Sequence, residues 1–471
     1  VRVLTAAALA GVLAAGGLPA RAEDGLRAGA AVVEVALPPG VPLAGYGGFP
    51  RRAWLPDLLD RHPQAFWFRP SGGRHDAISA RALALADPGT RIVWIALDLV
   101  GVDPSLVEAT RARLAAAGGP APTLVVSASH THSGPGAYAD SALFGFVAVD
   151  RPAAAVRDAL LAAMEAAARG ALDRLRPARL GAGSTLVPDL TLSRLGRPLD
   201  PELGLLKVVG HDGRPIAALW NYAIHGTALP RRNLLLSGDV MGAATARLER
   251  RLGAPALFVN GAVGDVSPRH RGWDGLRASA EVLAAAAGQA WEDTPLDGAS
   301  DLAVAVERVA LPAPAVALRN CLGSWLPRAL RLGLGEALPA RAELVALRLG
   351  RSLWVTVPGE LETALGLAIK AARPPGAGPV FVAGLSNDYL GYFLTPEGYG
   401  RPGYIACASL YGPAGGAALV GAARRLVGRV WATRATPPPG SGTGQRGSRR
   451  PAGSWRRRPA GRAMPSRRTA C

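Results

Sequence analysis

Leu124-Val125-Val126-Ser127-Ala128-Ser129-His130-Thr131-His132-Ser133-Gly134-Pro135-Gly136 is the stretch from which the fold is read. Its apolar opening has the character of a buried strand, and it runs into a Ser/Gly/Pro turn that carries two histidines. Side chains alternate along a strand, so an extended backbone would put His130 and His132 on one face. Two imidazoles gathered where a core strand meets a loop begin a metal site, or else are ring nitrogens satisfied by the backbone.

Working outward, Arg91–Leu99 reads as a strand, and Ala77–Leu85 as its neighbour. Pro104 through Ala117 reads as a helix, with Asp103 as its cap and Pro104 at the first helical position. With the histidine strand this makes a strand–helix–strand unit, which predicts the α/β class: mixed β-sheet layers covered by helices in a single large domain. A first strand is expected at Ala30–Ala36, a long Ala-rich helix from Arg151 to about Arg174, and strands at Ala178–Gly183, Gly204–Val209 and Ile216–Ile224. Further on, helices are expected at Met241–Leu252, Leu276–Trp291 and Leu361–Ala372. Strands are expected at Ala256–Asn260, Leu302–Leu311, Glu343–Leu349, Leu353–Val357 and Val380–Leu385, the last leading into a Gly/Tyr loop.

The net charge of +18 over 471 residues looks at first like a nucleic-acid signature. Nine arginines and no acidic residue follow Thr436, so about half of the excess sits in one Pro/Gly/Ser/Arg tail. Aromatics are scarce and not interleaved with the arginines, which argues against nucleic acid as a partner. That composition cannot bury a core, so 436–471 is expected to be a disordered tail. At the other end Arg2, the apolar run Leu4 to Leu18 and Ala20-Arg21-Ala22 read as an export signal over 1–22, too short for a comfortable membrane span. The expectation is a secreted or periplasmic protein whose domain occupies 23–435. Cys321 and Cys407 are free to pair in an oxidising compartment, leaving Cys471 over.

The grammar of the first histidine segment recurs: an apolar strand, a polar residue, then glycine. Trp220 to His225 ends at Gly226, and Leu236-Ser237-Gly238-Asp239 opens a helix. Phe258 to Pro268 carries Asp265 and Ser267 on a Gly-rich loop. Val357-Pro358-Gly359-Glu360 delivers a carboxylate, and Asn387-Asp388-Tyr389-Leu390-Gly391-Tyr392 follows a strand. In a layered α/β fold such strand ends gather along one edge, where sites are usually found. Two imidazoles and a carboxylate form a familiar catalytic zinc set, with ligand distances of ~2.0–2.2 Å and an open position for water.

These pieces together resemble the neutral/alkaline (non-lysosomal) ceramidase family. The resemblance rests on Ser129 to Gly136, Asn221 to His225, Ser237-Gly238-Asp239, Asn260 to Pro268, Pro358-Gly359-Glu360 and Tyr392 through Pro413, in family order from about Leu26 to Arg434. It implies a Zn2+-dependent amidohydrolase that splits ceramide, or a related N-acyl lipid, into fatty acid and sphingoid amine. The lipid would be met at a transient membrane or micelle surface. By motif, His130, His225, Glu360 and Tyr392 would hold the zinc. His132 would stand beside it as a hydrogen-bonding or proton-transfer group, and Tyr404 would polarise the substrate carbonyl. Ser267 matches a serine that is either nucleophile or substrate contact, and Arg194 is the candidate for a head-group-proximal arginine.

A serine nucleophile needs a base within reach, and no sequence feature assigns one to Ser267. Zinc-activated water is therefore the expected attacking group. The chain departs from the family pattern at Gly226 (for proline), at Arg269 (for asparagine), at Ile405-Ala406 (for an acidic-small pair) and in lacking the C-terminal sandwich domain. The stretch around Ser193 to Pro198 is also shorter than expected. These departures touch the substrate's surroundings more than the metal set. Two alternatives stand beside the ceramidase reading. One is an exported zinc hydrolase of the same fold acting on other acyl amides or esters. The other is a catalytically silent secreted lipid-binding protein.

Overall fold

The computed structural model describes residues 25–433 except 117, 119, 299 and 300; the expected export signal and Arg-rich tail lie outside the described residues. Eight strands form one mixed sheet: β1 (Arg27–Glu34), β2 (Ser79–Ala86), β3 (Arg91–Leu97), β4 (Thr123–Ala128), β5 (Arg176–Leu186), β6 (Glu202–Gly210), β7 (Pro215–Tyr222) and β8 (Ala256–Asn260). Their spatial order is β4-β3-β2-β1-β5-β6-β7-β8. A four-stranded sheet follows in chain order, from β9 (Leu302–Ala310) and β10 (Arg341–Leu349) to β11 (Ser352–Thr356) and β12 (Val380–Ala383). The α/β class with mixed sheets expected from the sequence is what the structure shows.

Burial explains the layers. Alternate residues of the large sheet point two ways, as the two-residue period of a strand requires. Leu83, Trp94, Leu206 and Val259 meet Val345, Trp354 and Phe381 of the small sheet in one apolar cluster. There the Trp94 and Trp354 rings pack edge-on at 5.4 Å. The opposite face of β1–β4 is covered by α1 (Pro104–Ala116) and α2 (Ala154–Asp173). The corresponding face of β6–β8 lies under α3 (Asp239–Leu252) and α4 (Gly272–Asp293). On the far side of the small sheet lie α5 (Thr363–Lys370) and α6 (Gly412–Ala432). The layers therefore run helix, sheet, sheet, helix.

Local chemistry sets several of the boundaries. Asp103 caps α1 as expected, its Oδ1 accepting from the Ser105 amide at 3.0 Å. Val156, Leu160, Ala163, Ala167 and Ala171 form the buried stripe of α2, at helical spacing. Helix α6 was not expected from the sequence, because Gly415, Gly416, Gly421 and Gly428 lower helix propensity. Its buried stripe of Leu419, Ala423, Leu426, Val427 and Val430 seals the small sheet, and that burial outweighs the propensity cost. Among the described residues no helix is long and apolar enough to cross a membrane.

The two mixed sheets contain three parallel pairs: β3/β4, β7/β8 and β11/β12. The C-terminal ends of these strands open on one place. From β4 the chain reaches His130, from β7 His225, from β8 Ser267, from β11 Glu360 and from β12 Tyr389 and Tyr392.

Candidate metal centre

The first histidine segment does not leave β4 as an extended strand. The strand stops at Ala128, and His130 takes a left-handed backbone with φ of 71°. Strand alternation therefore does not bring His130 and His132 together; a sharp bend does, leaving their rings edge-on with centroids 4.9 Å apart. The bend is held by the second histidine segment. The amide of His132 donates to the Gly226 carbonyl at 2.8 Å, and the Gly226 amide donates to the His130 carbonyl at 3.2 Å. A Cβ on residue 226 would lie 2.5 Å from the His130 oxygen, so the two segments touch only because glycine stands there. Proline, which the family pattern suggests at this position, has no amide to donate.

Asn260, at the end of β8, ties both segments to a third. Its Nδ2 donates to the carbonyls of Ser129 and Ile224 at 2.9 Å each, while its Oδ1 accepts from the Ile224 amide at 3.2 Å. All of these groups are buried, where an unpaired one would cost about 1–3 kcal/mol.

Each of the two ring geometries is fixed by a carbonyl. Nδ1 of His130 lies 2.6 Å from the Val100 oxygen, and Nδ1 of His225 lies 3.2 Å from that of Val263. A carbonyl only accepts, so each Nδ1 donates, and this is the tautomer that offers a lone pair at Nε2 to a metal. Those two Nε2 atoms face one another at 2.9 Å. Glu360 Oε2 lies 3.3 Å from both and has no hydrogen-bond donor. Three acceptors converge on one point, an arrangement that repels itself unless a cation sits among them. The donor set therefore fits a divalent metal, and its nitrogen–oxygen chemistry fits Zn2+.

Tyr392 approaches from beside Glu360. The short parallel strands Glu360–Leu361 and Tyr392–Phe393 put those two residues in direct register. Burial and the Glu360 carboxylate hold the Tyr392 phenol well above its ordinary range, with Arg194 opposing. A cation at the site would reverse that preference. His132 is the third imidazole of the cluster: its ring offers a nitrogen within 4.8 Å of those of His130 and His225. Neither of its nitrogens has a hydrogen-bond partner. Burial, reinforced by the positive charges of Arg194 and Arg51, holds His132 well below the usual imidazole range. It is thus a neutral base.

The remaining expected residues line the same hollow. Arg194 Nε donates to Ser267 Oγ at 2.8 Å, and its guanidinium lies 5.6 Å from the Tyr404 ring centre. Tyr404 is 61% exposed and stands edge-on to Tyr392 with centroids 6.4 Å apart, which places it at the mouth. The structure thus brings together His130, His132, His225, Glu360, Tyr392, Arg194, Ser267 and Tyr404. By contrast, Asp239 is spent on the fold. Its carboxylate accepts from the amides of Leu229 and Val240, and burial raises it to about 6.

The chain is similar to known proteins in sequence and in fold. The model of the family described as neutral/alkaline non-lysosomal ceramidase, N-terminal, matches residues 69–282. Over these residues the chain is similar to the neutral/alkaline non-lysosomal ceramidase family. Neutral ceramidase 2 of Arabidopsis thaliana is 29% identical over 218 residues, which cover 42% of this chain and 28% of that protein. The neutral ceramidase of Pseudomonas aeruginosa is 27% identical over 226 residues, covering 42% of this chain and 33% of the relative. The matched segments thus span about a third or less of those relatives' length. The fold likeness reaches further. The crystal structure of the Pseudomonas aeruginosa neutral ceramidase superposes with a TM-score of 0.72 at 20% identity, covering 86% of this chain and 74% of that one. A ceramidase complexed with C2 gives a TM-score of 0.73 at 19% identity.

Three contributors to the site were not singled out from the sequence. Arg51 is 1% exposed, and its guanidinium donates to the carbonyls of His132 at 2.6 Å and Ala44 at 3.1 Å without a carboxylate partner; burial lowers it to about 10. Tyr46 packs edge-on against His132 at 4.9 Å. Both lie in a Gly/Pro-rich loop that carries no periodic signal. The third is Tyr389, whose hydroxyl donates to Glu360 Oε1 at 2.7 Å while its ring stacks on Phe144 at 4.6 Å.

The Tyr389 bond fixes one carboxylate oxygen and leaves the other facing the imidazoles. Tyr389→Phe is expected to weaken Zn2+ affinity by ~10–100-fold, as loss of an orienting partner does, with little change in Tm of the metal-free protein. Chelator competition read against thermal unfolding checks this. Unchanged affinity would remove Tyr389 from the site.

Proposed function

We propose that this chain hydrolyses the amide bond of an N-acyl sphingoid base, ceramide or a close relative, with Zn2+ held by His130, His225, Glu360 and Tyr392. The observation that carries the reading is the convergence of His130 Nε2, His225 Nε2 and Glu360 Oε2 with no donor among them. Bound there, Zn2+ would supply Lewis-acid polarisation of a water and of the acyl carbonyl.

The chain's own residues would do the rest. His132, neutral and unpartnered, would take the proton of the attacking water and deliver it to the leaving amine. Tyr404 at the mouth would donate to the carbonyl oxygen as charge develops there. Arg194 keeps a buried Nη1 without a partner, free to bind an oxygen of the substrate's head group. Ser267 Oγ accepts from Arg194, a group that cannot serve as a base, so the serine is read as a positioning contact. Ser267→Ala is expected to keep turnover within ~10-fold of the parent while raising KM. Isolation of an acyl-Ser267 adduct would sink the water mechanism.

The Cys321–Cys407 disulfide supports a site of action outside the cytoplasm. The substrate is tested by a panel of labelled ceramide, an N-acyl amino acid and an acyl ester. The proposal expects sphingoid-base release from ceramide at the highest kcat/KM. Hydrolysis of the other compounds with ceramide untouched would favour the broader acyl hydrolase, and no turnover of any compound would favour a silent lipid binder.

A further inference from the structure

The segment between β9 and β10 makes an excursion that the site does not use. It contains a hairpin, Ala315–Ala317 against Arg331–Gly333, and a short helix, Leu318–Leu322. Leu322, Trp325 and Leu332 are 64%, 77% and 59% exposed, a concentration of large apolar groups that water disfavours. The charges on the excursion are all of one sign. Arg319, Arg328 and Arg331 lie between Glu307 and Glu336 with no acidic residue among them. The three arginines also line a cavity of about 270 Å³ with Asn320 and Tyr399, and no carboxylate lines it. Exposed Trp and Leu interleaved with arginine are the composition of a segment that rests in the headgroup region of a bilayer.

The excursion is fastened to the mouth of the metal centre. Cys321 is bonded to Cys407, at the end of the four-residue helix Tyr404–Cys407. The Gly403 amide donates to the Asn320 carbonyl at 3.0 Å, and Asn320 Nδ2 donates to the carbonyls of Tyr399 at 3.1 Å and Ala406 at 3.4 Å. Whatever surface the excursion rests on is therefore held in a set relation to Tyr404.

We propose that residues 315–333 form an interfacial anchor for an anionic lipid bilayer, with Leu322 and Trp325 entering the acyl boundary and Arg328 and Arg331 on lipid phosphates. Its use rests on the acyl-lipid reading above, but binding is measured without turnover. The partner is a bilayer and not a soluble anion because the arginines are ringed by exposed apolar groups that a free anion would leave in water. A second exposed apolar set, Trp54, Leu55, Leu58 and Leu59, carries the carboxylates of Asp57 and Asp60 among its residues and so lacks the one-signed charge.

The test is flotation of the full chain with vesicles of phosphatidylcholine alone or mixed with phosphatidylglycerol. The tail beyond Thr436 is present in every arm, so its attraction to the anionic vesicles is common to all. Leu322→Ser/Trp325→Ser is expected to weaken partitioning onto mixed vesicles by about tenfold or more. Arg328→Gln/Arg331→Gln is expected to do the same on mixed vesicles but not on phosphatidylcholine. Both pairs should retain parental turnover of a water-dispersed short-chain N-acyl amine. Unchanged flotation of both pairs, or loss caused instead by Trp54→Ser/Leu55→Ser alone, would overturn the anchor. So would a Trp325-dependent dimer in sedimentation that covers the patch. Vesicle binding with no turnover of any amide would leave the anchor standing and sink only the proposed reaction.

Discussion

His225→Ala is expected to lower turnover by at least about 10²–10³-fold, and no Zn2+ concentration should restore it. Removing one positioned electrostatic stabiliser already costs that much in other enzymes, and here the substitution also removes a ligand of the stabiliser itself. In the protein without metal, His225 Nε2, His130 Nε2 and Glu360 Oε2 crowd one another, so deleting one imidazole relieves repulsion even as it opens a small cavity. The stability readout therefore separates a metal site from a merely structural histidine pair. For the parent chain, Zn2+ at a thousandfold its dissociation constant adds ~4 kcal/mol and raises Tm. For His225→Ala that rise should vanish. Chelation of the parent should abolish turnover, and zinc should bring it back. A variant that keeps both the zinc-dependent Tm shift and its activity would show that these residues do not share an ion.

Cys407→Ser is expected to produce the largest loss of stability that leaves the metal ligands intact. The bridge to Cys321 closes a loop of 86 residues. Chain-entropy reasoning puts its contribution at about 4–5 kcal/mol, with ~2–4 kcal/mol more typical of measured cases. The loss should be felt first at the excursion and the helix Tyr404–Cys407, because few buried apolar groups hold that region: Tyr392, Leu394, Ile405 and Ala406 form a small cluster apart from the main cores. Zn2+ affinity should fall far less than in His225→Ala, since His130, His225 and Glu360 sit on other elements and only Tyr392 of the four proposed ligands belongs to the loosened cluster. Amide hydrolysis should fall with temperature well before global unfolding. Denaturant titration with and without reductant, beside zinc affinity, checks this. A reduced protein as stable as the oxidised one would remove the bridge from the account.

The strands and helices that can be recognised one at a time were legible in the sequence. Ala256–Asn260 was placed to the residue, and α1, β3, β6 and β10 came within two residues at each end, because burial on one or two faces imposes a period on each segment. Helix α6 was missed because its glycines oppose helix formation, and only the apolar face of the small sheet makes it worthwhile. Six of the candidate site residues, His130, His132, His225, Ser267, Glu360 and Tyr392, stand in short motifs that follow apolar strands, whereas Arg194 and Tyr404 were named through the family resemblance. Arg51, Tyr46 and Tyr389 were not singled out, since their roles depend on which carbonyl, ring or carboxylate the fold brings to them.

What the sequence by itself determined is the inventory: an α/β chain with polar residues waiting after apolar strands, and a motif set that resembles one family of hydrolases. Hydrophobic period and glycine placement are properties of neighbouring residues, so they survive in a linear string. The tertiary structure alone decided that His130 turns through a left-handed backbone, that Gly226 lets two histidine segments touch, and that Glu360 and Tyr392 fall in register. Those facts are contacts between residues far apart in the chain, set by how two sheets pack and not by any local preference.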